Sequence, residues 1–202
     1  MELLDIYDES ENLIGTADRA VAHRFGLWHK TVHCWLLLPD GRVVFQKRGR
    51  RKKDNPSKLY TSASGHVAAG EPVEKALARE VSEELGASPK NPRLIWKTLY
   101  KGDFARDDGS LFHDRAIVHI FSAAADRPLD MFRFDDGEAD AVAAIDPGDF
   151  ARLAQGLTDA IAAQAWDGGS LNEISVGRDD FLLLPGDTLQ GKYQLVFDRI
   201  FR

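Results

Sequence analysis

Two apolar-rich runs, Thr31 to Leu38 and Arg42 to Lys47, predict strands, and Pro39-Asp40-Gly41 between them favours a tight reversal, so the pair reads as a hairpin. A shorter strand is expected over Leu3 to Tyr7. A polar turn at Asp8 to Asn12 and Gly15 then lead to a brief helical stretch near Asp18 to Phe25. After a basic loop from Arg48 to Lys58 and a short extended piece at Leu59 to Ala63, the strongest helical pattern covers Pro72 to Leu85. Proline sits in its first turn and Gly86 just past its end, and Val73, Ala76, Leu77, Val81 and Leu85 recur on one face. Further strands are expected at Arg93 to Tyr100, Arg115 to Ser122 and Ala139 to Ile145, then a helix from Pro147 to about Leu157. Beyond it the pattern predicts more helix through Ala165, a break at Gly168-Gly169 and an amphipathic stretch near Tyr193 to Phe201. This order of elements predicts a mixed α/β sandwich.

The length of 202 residues suits one domain, or a domain over 1–156 with an extension over 157–202 that packs on it; we take the second division. A net charge of −6 with both signs interspersed lacks the cationic field that duplex nucleic acid demands, so no nucleic-acid partner is expected. No apolar stretch approaches the roughly 20 residues that span a bilayer, and the start lacks a signal-peptide pattern, so no membrane partner and a cytoplasmic location are expected. The single cysteine, Cys34, lies in the apolar run Val32 to Leu38 and reads as a buried structural thiol.

Glu80, Glu83 and Glu84 stand at i, i+3 and i+4 and gather on one side of the long helix, beside its apolar face. Like charges at this spacing repel, so the helix sacrifices stability unless a cation compensates. A hard divalent ion such as Mg²⁺ takes a few carboxylate oxygens and completes its shell with water and phosphate. A solvated acidic face is the competing reading. The surrounding residues decide between them.

The segment Gly65 to Ala87 resembles the Nudix box, with Gly65, Glu71, Arg79, Glu80, Val81, Glu83, Glu84 and Gly86 at its defined positions and the small Ala87 at the last apolar one. The resemblance implies a Nudix-type α/β/α sandwich with a mixed sheet, here with a C-terminal helical extension. It also implies a hydrolase cleaving a diphosphate linkage in a nucleoside diphosphate derivative or related small molecule, with Mg²⁺ or Mn²⁺ as cofactor. Glu80, Glu83 and Glu84 would hold the metal with the backbone carbonyl of Gly65, and Arg79 would hold a box carboxylate in place. Glu138 is the candidate general base outside the box, with a surface turn residue as its alternative. A homodimer is compatible with this reading.

The opening Leu4 to Asp8 with Gly15, then Trp28 to His33, Gln46-Lys47-Arg48 and Ser64-Gly65-His66 look like the Nudix branch similar to isopentenyl-diphosphate isomerase. The isomerase carries a cysteine directly before the box glycine; here that residue is Ser64, which argues against isomerisation. His23, His29 and His66 compare with the isomerase's metal-binding histidines, but Phe112 to Ala116 lacks the expected glutamates, and His66 is read as substrate-facing. The basic loop is either solvated or a diphosphate clamp with Arg48 as its contact. Trp28, Trp35 and Tyr60 are candidate stacking surfaces, with core packing the stronger reading for Trp35. A noncatalytic nucleotide-binding module is the third alternative, and the complete set of box carboxylates argues against it.

Overall fold

A computed structural model describes residues 2–105, 109–134, 137–184 and 187–201. Strands β1 (Leu3–Tyr7) and β2 (Leu13–Asp18) form a separate two-stranded antiparallel ribbon. Helix α1 (Arg19–Phe25) follows at once, its N-terminus capped by Asp18, whose carboxylate accepts the Ala20 N–H. The main sheet uses β3 (His29–Leu37), β4 (Val43–Arg48), β5 (Leu59–Tyr60), β6 (Ala63–His66), β7 (Pro89–Ala105), β8 (Leu111–Ala125), β9 (Ala139–Ile145), β10 (Ala160–Trp166) and β11 (Leu171–Gly177). Its order is β11-β10-β9-β4-β3-β8-β7, with β5 paired to β4 and β6 to β3. The β3–β8 pairing is parallel and the others are antiparallel, which makes the sheet mixed.

Helices cover both faces. Val32, Cys34 and Leu36 of β3, with Val44, Val142 and Ala144, pack against Ala76, Leu77, Val81 and Leu85 of helix α2 (Val73–Leu85). The alternate residues Trp35, Val43, Phe45, Ala143 and Ile145 point the other way, onto helix α3 (Pro147–Ala154) and the C-terminal segment ending in helix α4 (Leu195–Ile200). Period-two alternation therefore builds the three layers, as the sandwich expectation required. The C-terminal segment meets the sheet chiefly with aromatic rings: Phe181, Tyr193 and Phe197 pack around Phe45, Trp35 and Phe150. Among the described residues no helix is long and apolar enough to cross a membrane.

The expected helix through Ala165 is corrected to a strand. Residues 160–166 are alanine-rich and favour helix locally, yet they alternate: Ile161 and Ala163 are buried, Ala160 and Ala162 exposed. Pairing with β9 on one side and β11 on the other overrides the local preference. At the turn the Asp167 carboxylate accepts the N–H groups of Gly169 and Ser170, so the Gly168-Gly169 break is a hairpin. Strands β7 and β8 extend past their expected ends on both sides, because their ladder continues from Pro89↔Ala125 to Ala105↔Leu111.

Leu77, only 1 % exposed, sits at the centre of the α2 layer. Leu77→Ala should cost about 2–5 kcal/mol, seen as a lower urea midpoint at unchanged slope. A loss under roughly 1 kcal/mol would show that α2 collapses onto the sheet without close packing.

Candidate active site and metal centre

The box occupies β6, the loop after it and α2. Gly86 ends the helix in the left-handed region at φ 58°, which favours glycine, and its N–H returns to the Ser82 carbonyl. The loop is drawn together by Arg79. Its Nε and Nη2 donate to the two oxygens of Glu71 at 3.1 and 3.0 Å, and Nη2 also donates to the His66 carbonyl at 2.9 Å. Its Nη1 donates to Glu80 at 2.7 Å and to Glu83 at 3.2 Å. These contacts engage every N–H the guanidinium has. Glu71 in turn accepts the Ala68 N–H at 3.0 Å, and its bond to Arg79 is the main reason its carboxyl lies below the ordinary range.

Gly65 is needed for a steric reason. A Cβ there would stand 2.0 Å from the carboxyl carbon of Glu80, so the Glu80 carboxylate rests directly on the glycine backbone. Glu84 is buried, and its Oε2 accepts from Gln46 Nε2 at 2.9 Å and from the Ser64 N–H at 3.1 Å. Glu83 is exposed. Burial pushes the Glu80 carboxyl up to about 7 against the pull of Arg79, with Glu83 and Glu2 adding to the rise. The structure thus brings Gly65, Glu71, Arg79, Glu80, Glu83 and Glu84 together. Three carboxylates gather around one guanidinium and a fourth, Glu84, is held beside them by Gln46 and the Ser64 N–H, an oxygen-rich set with excess negative charge that suits a hard divalent cation.

A second cluster adjoins the first. His23 of α1, His29 of β3 and His66 of β6 present ring nitrogens within 4.8 Å of one another, a set that could hold a metal ion. His29 stacks on His23 and on His66, with centroids 4.7 and 5.1 Å apart. Its Nδ1 lies 2.9 Å from the Leu27 carbonyl, so it carries the proton, and Nε2 faces Asp114 at 3.7 Å. Burial holds the His29 and His66 rings below the usual imidazole range, which keeps them neutral and available as ligands. It raises Asp114. Glu2 lies 3.9 Å from His66 and pairs with Arg19 at 3.0 Å.

The remaining expectations fall in different places. Arg48 turns into its own loop, donating from Nε and Nη2 to the Asp54 carbonyl at 3.3 and 3.0 Å. Glu138 is tied to that loop by an ion pair with Lys52 and by its carbonyl, which accepts the Gly49 N–H. Trp35 and Cys34 are core residues, and burial raises the Cys34 thiol far above its ordinary value. Tyr60 is half-buried, with its hydroxyl 3.4 Å from His33 Nε2. His33 was marked only as the end of the Trp28 to His33 resemblance and the Lys192–Asp187 pair by no motif; pairing of β3 with β6 places His33 opposite Ser64, and packing of the C-terminal segment brings Lys192 over the Tyr60 ring.

The model of the NUDIX domain family matches residues 27–164. A protein named as an uncharacterized Nudix hydrolase of Clostridium acetobutylicum is 31 % identical over 189 residues, which is 90 % of each chain. The isopentenyl-diphosphate Delta-isomerase of Streptomyces avermitilis is 36 % identical over 128 residues, covering 63 % of this chain and 64 % of its own. A crystal structure from Deinococcus radiodurans superposes with a TM-score of 0.52 at 22 % identity, over 77 % of this chain and 90 % of that one, which supports the fold. The chain belongs to the Nudix family. It is a hydrolase acting on phosphorus-containing anhydrides.

Burial of Glu80 makes metal-free stability pH-dependent. Its folded pKa lies above the ordinary 4.5, so the contribution is complete below about 4.5 and is lost as pH rises through about 7. The loss is on the order of 3 kcal/mol, and Glu80→Gln should flatten that part of the profile in chelator. Parallel denaturation profiles for the two proteins would remove Glu80 as its source.

Proposed function

We propose that the chain hydrolyses a diphosphate linkage in a nucleoside diphosphate derivative or related small molecule, with Mg²⁺ or Mn²⁺ held by Glu80, Glu83, Glu84 and the Gly65 carbonyl. The observation that carries this reading is the seating of the Glu80 carboxylate on the Gly65 backbone with Arg79 clamping Glu71, Glu80 and Glu83 around it. Bound there, the ion would offset diphosphate charge and lower the pKa of the attacking water. The protein's own part is positional. Arg79 holds the carboxylates of Glu71, Glu80 and Glu83, and Gln46 with the Ser64 N–H holds a fourth, Glu84. Either a box glutamate or Glu138, which Lys52 holds beside the basic loop, takes the water's proton. The unit over 1–156 carries this chemistry, with 157–202 as an extension packed on it.

Isomerisation is the second reading, favoured by the histidine cluster and by the isomerase relative. Ser64 stands against it. A hydroxyl cannot readily replace a thiol in moving protons to and from carbon, because its pKa is far higher. Purified protein should therefore give no allylic isomer from isopentenyl diphosphate. An isomer signal lost in Ser64→Ala would promote this reading.

The central test is a panel of nucleoside di- and triphosphates, sugar nucleotides, dinucleotides, coenzymes and prenyl diphosphates, run with Mg²⁺ and Mn²⁺. On the best substrate, Glu84→Gln should lower hydrolysis by a factor on the order of 100. Wild-type rates from the variant across Mg²⁺ concentrations would sink the metal assignment at its centre.

A further inference from the structure

The box carboxylates lie behind β6, on the face that α2 fills with Ala76, Leu77 and Val81. That face is packed. In the antiparallel β3–β6 pairing Ser64 stands opposite His33 and His66 opposite Thr31, so these four side chains share the other face, away from α2. With α2 filling the first face, this second face is the one left for the rest of a substrate whose phosphates reach Gly65. Asp114 lies 3.7 Å from His29 Nε2, so the polar groups beside this face extend beyond the three histidines.

Lys192 comes from that segment, beyond the residues matched by the family model. Its ammonium lies 5.7 Å from the centre of the Tyr60 ring and 2.8 Å from Asp187, and its charge helps hold His33 neutral. Trp35, next along the same face of β3 and 3 % exposed, has an indole N–H without a hydrogen-bond partner among the described residues. Ammonium, hydroxyl and imidazole therefore lie next to one another, linked to the box through His33, which stands opposite Ser64.

We propose that Lys192 is a specificity-determining residue: with Tyr60 and His33 it selects a substrate whose group beyond the phosphates is rich in hydrogen-bond-accepting oxygens, and it rejects a hydrocarbon one. This rests on the reading of the box as a diphosphate-hydrolysing site. The physical reason is desolvation. A hydrocarbon chain would strip water from the Lys192 ammonium and Tyr60 hydroxyl and return no acceptor, whereas hydroxyl, carbonyl or phosphate oxygens replace that water.

The test compares two monophosphates of equal carbon count, ribose 5-phosphate and isopentenyl monophosphate, by titration calorimetry on the whole chain. Neither contains a diphosphate bond, so binding is read independently of hydrolysis; a hydrolytically inert protein would refute the proposed function without deciding this comparison. Wild type should prefer ribose 5-phosphate, and Lys192→Met should weaken it by a factor on the order of ten while moving isopentenyl monophosphate less than about twofold. Lys192→Arg should restore most of the loss. Tyr60→Phe, which keeps the ring, should show the same selective loss even if Lys192→Met folds poorly. Asp187→Asn removes the ion pair but leaves the ammonium, so it should not weaken ribose 5-phosphate. Equal losses in Asp187→Asn and Lys192→Met, equal effects on both ligands, or no wild-type preference would overturn the proposal.

Discussion

One guanidinium organises the centre. Arg79 reaches across the box loop to Glu71, along its own helix to Glu80 and Glu83, and down to the His66 carbonyl. Without it, Glu71, Glu80 and Glu83 would crowd together with nothing to offset their repulsion, and the loop after β6 would lose its link to the helix. A lysine could not substitute, since it offers three donors from a single point and cannot span carboxylates on several sides. The clamp also explains why burying Glu80 is tolerable: the charge lost to solvent is met by a cation held 2.7 Å away.

The same strand carries both halves of the site. Alternation along β6 sends Ala63 and Gly65 toward α2, and Ser64 and His66 toward the opposite face. The carboxylates and the histidine cluster are thus separated by one strand's thickness. The N-terminal ribbon closes the arrangement from outside, where the Leu3 carbonyl accepts the Ala69 N–H and Asp5 accepts the Gly70 N–H.

Much of this was legible in the residues. Proline in the first turn and glycine past the last marked α2 to within a residue, and the i, i+3, i+4 spacing put three glutamates on one side of it. What spacing could not show was that Glu84 belongs to the buried stripe while Glu83 remains exposed, because that depends on where β6 and Gln46 lie. Residues 160–166 misled because alanine favours helix unless a neighbouring strand supplies backbone partners. The grouping of His23, His29 and His66 was suggested only by resemblance; their approach depends on α1, β3 and β6 meeting. Lys192 carried no local signal at all, since its neighbours Tyr60 and His33 are more than a hundred positions earlier in the chain.

The parallel pairing of β3 with β8 has a consequence for how the chain reaches this state. His29 faces Ala116 and Leu37 faces Ala124 across it, so each contact closes a loop of 87 residues, whereas β6 and α2 are neighbours in sequence. Loop-closure entropy therefore orders assembly: the short unit that gathers the glutamates can form early, and the sheet that buries them must wait for a slow, long-range search. Glu80 can rest on Gly65 and meet Arg79 within the short unit, whereas the burial of Glu84 against Gln46 of β4 needs the sheet. A divalent cation that binds only the completed site should then slow unfolding more than it speeds folding.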